Sequence, residues 1–206
     1  QEDLYKEGAE WVNHSLYPKK VEETYDRVQV GSSLCAKPYQ SSIFNISAMS
    51  YGSLSSRAVE ALNRGAAQGG FYHNTGEGGI SPYHLKGGDL VWQIGTGYFG
   101  CRTLEGDFCP ETFQEKAQQD FVKMIELKVS QGAKPGKGGM LPGSKVTPEV
   151  AEIRGVRVGE DVISPPNHKK CKDPKSLLEF IGELRQLSGG KPTGFKICLG
   201  QKREFQ

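Results

Sequence analysis

The feature that most narrows what this 206-residue chain can fold into is where its glycines fall. Three clusters follow short apolar runs. Gly76, Gly78 and Gly79 come after 71–74, Gly95, Gly97 and Gly100 after 90–94, and Gly136, Gly138 and Gly139 after 122–129. Glycine collects where backbone must turn sharply or approach another group closely. Apolar runs without strict alternation read as strands of a parallel sheet buried on both faces. Long glycine-rich loops after the strands, with short loops before them, match a (β/α)₈ barrel, whose ligands bind at the C-terminal strand ends. A doubly wound open sheet is the second choice.

Helix signals alternate with these runs, as β/α units require. Ser55 or Ser56 caps a helix carrying Ala58, Val59, Leu62 and Ala66, which Gly69 and Gly70 stop. Thr147-Pro148 and Asp173-Pro174 each place proline at a first helical position. The second of these leads Leu177, Leu178, Ile181, Leu184 and Leu187, and Gly189 ends it. Ile43, Phe44, Ile46 and Ala48 predict a first buried strand that stops at Met49-Ser50-Tyr51-Gly52. Val162 to Ser164 and Phe195 to Leu199 are further strand-like pieces. Residues 1–40 lack periodicity and read as an arm packing on the barrel, with one short helix near 3–13. Residues 41–206 are then the barrel part. A complete barrel needs about 250 residues and eight strands. The four to six strands legible here therefore predict an incomplete barrel, its first half. A chain opening on Gln rather than Met adds an expectation of processing or truncation.

The bulk numbers exclude several classes. A net charge of +2, with Lys169, Lys170 and Lys172 as the one basic cluster, gives no nucleic-acid footprint. No apolar run approaches the ~18 residues of a membrane span, and no signal peptide opens the chain. Five cysteines without a CxxC pair fit a reducing, cytoplasmic setting and give no metal site within the chain. His14, His73, His84 and His168 lack ligand spacing and read as structural.

Candidate chemistry sits in the loops and in two strands. Glu77 lies within Thr75-Gly76-Glu77-Gly78-Gly79, where a carboxylate can accept from a ligand amine or take a proton; a solvated turn is the plain alternative. The stretch from Gln131 to Gly139 puts Lys134 and Lys137 among glycines, a possible anion site without the ending of a P-loop. Lys196, between Phe195 and Ile197, is an expensive residue for a strand unless it meets a partner, either a ligand or a structural carboxylate. Lys128 poses the same question. Arg154 can clamp a carboxylate.

Four strings occur in order: Ser47-Ala48-Met49-Ser50-Tyr51-Gly52-Ser53-Leu54-Ser55, Thr75-Gly76-Glu77-Gly78-Gly79, Ser130-Gln131-Gly132-Ala133-Lys134-Pro135-Gly136 and Ile163-Ser164-Pro165-Pro166. Together they resemble the FMN-binding barrel of the glutamate synthase large subunit and of its stand-alone relatives, over about residues 30 to 200. The resemblance implies FMN across the barrel mouth, near Met49, Ser50, Tyr51, Gly52, Asn74, Gln93, Lys128 and Lys196. It implies Glu77 and Lys134 in catalysis, and both with Arg154 in holding 2-oxoglutarate. Ammonia would add to the oxo carbon, and reduced flavin would deliver a hydride to give L-glutamate. An electron-donor protein or an NAD(P)H-linked subunit would reduce the flavin. A [3Fe–4S] cluster of this family would take its ligands from outside the chain. Where the family's large-subunit enzymes carry a glutamine against the oxo acid, this sequence has Met140. A differently specific or non-catalytic FMN barrel is therefore one alternative, and an open α/β phosphate-binding domain is another.

Overall fold

The structure, a computed structural model, describes residues 6–8, 13–18, 20, 26–130 and 136–204. The helix expected near 3–13 falls largely outside them, and Lys134 falls wholly outside. A hairpin comes first, of antiparallel β1 (Arg27–Val30) and β2 (Tyr39–Ser42). Then come α1 (Ser56–Gly69), β3 (Tyr72–Asn74), β4 (Asp89–Ile94), α2 (Pro110–Ala117) and β5 (Val122–Lys128). A two-stranded flap of β6 (Met140–Leu141) and β7 (Val162–Ile163) encloses α3 (Pro148–Arg154). The helix α4 (Pro174–Leu187) and strand β8 (Thr193–Lys196) follow. The main sheet is parallel, in the order β3-β4-β5-β8.

Local chemistry explains the helices. The Ser55 hydroxyl accepts from the Ala58 N–H, and Gly70 ends α1 in the left-handed conformation at φ 63°. Thr147 caps α3 by accepting from Val150 N–H, and Asp173 caps α4 by accepting from Ser176 N–H. The helix α2 was not anticipated. Its cap position is Cys109, which makes no side-chain capping bond, so only Pro110 marks its start.

The first expected strand needs correction. Ile43 and Phe44 are 71% and 67% exposed. Only the end of that run joins the sheet, beside β3. Asn45 lies ahead of it and Ile46 donates to Tyr72 O at 2.9 Å, Asn74 donates to Ile46 O at 3.0 Å, and Met49 donates to Asn74 O at 3.1 Å. Residues 46–49 thus extend the parallel order by one segment, still in sequence order. The loop from Gly136 also differs from a plain loop, since Met140 and Leu141 pair with Ile163 and Val162.

The two faces of the sheet differ. On the outer face Trp92, Ile94, Val122, Ile125 and Leu127 pack against Phe113 and Ala117 of α2 and Phe180, Ile181 and Leu184 of α4. The alternate residues Asn74, Gln93, Glu126, Lys128 and Lys196 make the upper part of the inner face polar. The expectation of strands apolar on both sides therefore holds only for the outer face. A smaller core of Phe99, Leu141, Val146, Val150, Ala151 and Val162 seats the flap and α3. The β1–β2 hairpin meets the opposite, N-terminal ends of the strands. Tyr39 donates to Asp89 at 2.9 Å, and Cys35 Sγ lies 3.4 Å from Gly190 O.

Candidate active site

The C-terminal strand ends gather the candidate residues. Beyond β3 the chain stays locked to β4: Thr75 N–H donates to Val91 O at 3.0 Å, and the Thr75 hydroxyl accepts from Gln93 N–H at 3.1 Å. This rigid start presents the glycine loop. Gly76 adopts φ 65°, and a Cβ there would come within 2.8 Å of Ser50 N. Only glycine lets this loop lie against the Met49–Ser50 segment. Glu77 then projects over the sheet, and Lys128 Nζ donates to its Oε2 at 3.0 Å, with both side chains largely shielded from solvent. A Cβ on Gly139 would collide with Glu77 Oε1, so that glycine leaves room for the carboxylate.

Arg154 ends α3 and is 4% exposed. It donates through Nη2 to Tyr51 O at 3.1 Å, lies 5.3 Å from the Phe99 ring centre, and its buried Nε has no partner among the described residues. Burial lowers its proton affinity, while the Glu77 charge acts the other way. A small cavity of about 70 Å³ lies between Glu77, Arg154, Ser53, Gly139, Met140 and Ser164. Met140 is 62% exposed at its rim.

The inner face holds a second, larger cavity of about 390 Å³, whose lining includes Ser47, Ala48, Asn74, Glu126 and Lys196. Lys196 is the register partner of Lys128. Lys128 is paired with Glu77, whereas Lys196 has no ion-pair partner among the described residues, Glu126 included. Glu126 Oε1 instead accepts from Asn74 Nδ2 at 2.9 Å and from Gln93 Nε2 at 2.5 Å.

The 49–52 segment is pinned from several sides. Met49 O faces His84 Nε2 at 2.9 Å, and His84 Nδ1 accepts from Ser81 N–H at 3.1 Å. A backbone N–H can only donate, so Nδ1 carries no proton and Nε2–H donates to Met49. Burial holds His84 below the usual histidine range, in the neutral form this arrangement uses. Ser50 Oγ donates to Ser53 Oγ at 3.0 Å. Gly52 lies beside Arg154, and the Tyr51 phenol turns away to donate to Glu149, leaving Tyr51 backbone at the site. Burial, followed by the hydrogen bond to Glu149, pushes that phenol above its ordinary range.

Thus Met49, Ser50, Tyr51, Gly52, Asn74, Glu77, Gln93, Lys128, Arg154 and Lys196 occupy one end of the sheet, and Lys134 lies outside the described residues. Sequence reasoning missed Glu126 and His84. Glu126 had a usable signal, a carboxylate between Ile125 and Leu127, the same anomaly that singled out Lys196. His84 had none, since its partner Met49 lies 35 residues away.

Comparisons with known proteins bear on the family of the chain. The sequence model of the family described as a conserved region in glutamate synthase matches residues 2–205. The chain is 48% identical, over 87% of its length, to 35% of a glutamate synthase large subunit-like protein, YerD, of Bacillus subtilis. It is 36% identical, over 73% of its length, to 28% of an archaeal-type glutamate synthase (NADPH) of Thermotoga sp.. It is 37% identical, over 75% of its length, to 10% of the glutamate synthase (NADPH) large chain of Bacillus subtilis. The chain therefore spans about a third or less of the length of these relatives.

Proposed function

Because this chain belongs to the glutamate synthase family, we propose that residues 41–206 form the first half of an FMN-binding (β/α)₈ barrel, with 1–40 as an arm packed on it. The proposed activity of the protein carrying it is reductive amination of a 2-oxo acid, 2-oxoglutarate to L-glutamate. Support for the barrel comes from the strand order. Residues 46–49, β3, β4, β5 and β8 neighbour one another in sequence order, all parallel, with no reversal of the kind that marks a doubly wound sheet.

The observation that carries the reading is a division of charge at the strand ends. One lysine, Lys128, is paired with Glu77, while the neighbouring Lys196 lines a cavity and forms no ion pair among the described residues, Glu126 of the same lining being held by Asn74 and Gln93. That cavity of about 390 Å³ falls within the ~300–1,000 Å³ usual for small-molecule sites. Lys196, Asn74 and Gln93, with the backbone of Met49 to Gly52, suit the polar edge of a flavin, and Lys196 would neutralise an anionic pyrimidine edge. FMN, when bound, supplies the hydride. Its phosphate would be held outside this chain.

Chain residues do the rest. Arg154, whose Nε has no partner among the described residues, and Lys134 would hold carboxylates of the oxo acid. Glu77 would accept from ammonia or the iminium nitrogen, and Lys128 holds the Glu77 carboxylate in place. The glycine at position 76 lets the Glu77 loop lie directly against the Met49–Ser50 segment. The donor would be a reducing protein or an NAD(P)H-linked subunit. The ligands of a [3Fe–4S] cluster of this family would lie outside this chain. All five cysteines are free, which fits a reducing cytoplasm, and among the described residues no helix can cross a membrane.

The test is to purify the intact protein that carries this chain. A flavin absorption band and glutamate formation from 2-oxoglutarate, ammonia and a reductant are expected; a colourless protein that refuses added FMN overturns the reading. Met140, at the rim of the Glu77–Arg154 cavity, favours a second reading in which the flavin chemistry acts on a different oxo acid. Its thioether cannot supply an amide's hydrogen bonds. Turnover across a panel of 2-oxo acids separates the two.

A further inference from the structure

The strand β5 grips the Glu77 loop twice. Lys128 binds the Glu77 carboxylate directly. Two residues earlier on the same face, Glu126 accepts from Asn74 Nδ2, and Asn74 Oδ1 in turn accepts from Gly76 N–H at 3.0 Å. A second arm runs from Glu126 to Gln93 on β4. An ionised carboxylate only accepts, so both amides must turn their NH₂ groups to Glu126 and their carbonyl oxygens away from it. One side chain thereby fixes the donor and acceptor pattern of two buried amides on neighbouring strands.

A polar triad is a poor way to hold a sheet together. A carboxylate inside a strand costs desolvation, and well-packed apolar residues of similar volume usually serve stability as well or better. The outer face of the same strands solves the packing problem mostly with apolar side chains. Two of its members, Asn74 and Glu126, border the cavity that Lys196 also lines, with Gln93 buried behind them. We propose that Glu126 is a positioning residue. It sets the hydrogen-bonding pattern of the wall met by the flavin edge, and through Asn74 it sets the height of the Glu77 loop above the oxo acid. The proposal rests on the flavin reading.

The test uses the intact protein with Glu126→Gln, Glu126→Leu and Asn74→Ala, each titrated with FMN in the apo form. Flavin spectrum, melting temperature, and KM and kcat for the oxo acid are also followed. Glu126→Gln keeps an acceptor oxygen and should bind FMN within about three-fold of the parent. Glu126→Leu orphans both amides and should weaken FMN about ten-fold or more, with an altered flavin spectrum. Asn74→Ala cuts the link to Gly76 and should raise KM for the oxo acid, a readout that survives if Glu126→Leu does not fold. A lower melting temperature with unchanged FMN affinity, spectrum and KM makes the triad merely structural and overturns the proposal. If the parent protein takes no FMN at all, the flavin reading itself fails, a result distinct from any pattern among the variants.

Discussion

The outer and inner faces of the parallel sheet are built from alternate residues of the same strands, yet they follow different rules. On the outer face Trp92 stacks on Phe113, with ring centres 5.1 Å apart and planes 16° from parallel, among side chains almost wholly excluded from water. On the inner face Asn74, Gln93 and Glu126 satisfy one another, and Glu77 meets Lys128. The first face gains stability from apolar area removed from water. The second has little hydrocarbon near the strand ends and keeps a cavity open. The difference teaches that this sheet separates apolar packing from a hydrogen-bonded polar surface, one side chain at a time along each strand.

Four experiments would break or sharpen that contrast. The largest expected effect is Trp92→Ala, which should cost about 3–5 kcal/mol in denaturant unfolding. A loss below about 1 kcal/mol would mean the outer face is not the stabilising one. Next comes Glu77→Gln, which should lower kcat for glutamate formation about 10²-fold or more, with unfolding changed by less than about 1 kcal/mol. A variant that melts early with normal turnover would assign Glu77 to the wrong face.

The third concerns the polar exception on the helix side. His73 alternates with Tyr72 and Asn74, is fully buried, and has no hydrogen bond at either nitrogen among the described residues. Burial, with the His84 ring 5.1 Å away, lowers its pKa to about 4. The folded state thus binds fewer protons than the unfolded state between that value and the ordinary ~6.5. Its contribution is fully present above ~6.5 and is lost as pH falls towards 4, on the order of 2 kcal/mol between pH 7 and 5. Unfolding measured across that window should show the slope, and His73→Leu should flatten it. An unchanged slope would trace it to other groups. The smallest effect is Tyr39→Phe, which removes the bond to Asp89 and should cost about 1 kcal/mol, leaving FMN affinity alone.

Legibility in the sequence followed the range of the interaction. Ser55, Thr147-Pro148 and Asp173-Pro174 bond within their own first turns, and each marked its helix correctly. The runs at 90–94 and 122–129 announced β4 and β5 because they concentrate Val, Ile, Leu and Met side chains that the sheet buries. Ile43 and Phe44 misled because apolarity says nothing about which neighbour will cover a side chain. Only half of the β6–β7 flap was legible: Val162 to Ser164 read as strand-like, but β6 did not, since Met140 finds Ile163 only after α3 folds back. Within the site, the Glu77 loop and Lys196 stood out locally. The roles of Lys128 and Glu126 needed the register that aligns β5 with β4 and β8.

The β1–β2 hairpin carries a consequence in time rather than in energy. Its anchors lie far along the chain: Arg27 reaches Gly70, Tyr39 reaches Asp89, and Cys35 approaches Gly190 across 155 residues. Closing so long a loop before its target exists brings little reward, because contacts of high sequence separation form slowly. The hairpin is a clasp that shuts only on strands already laid side by side.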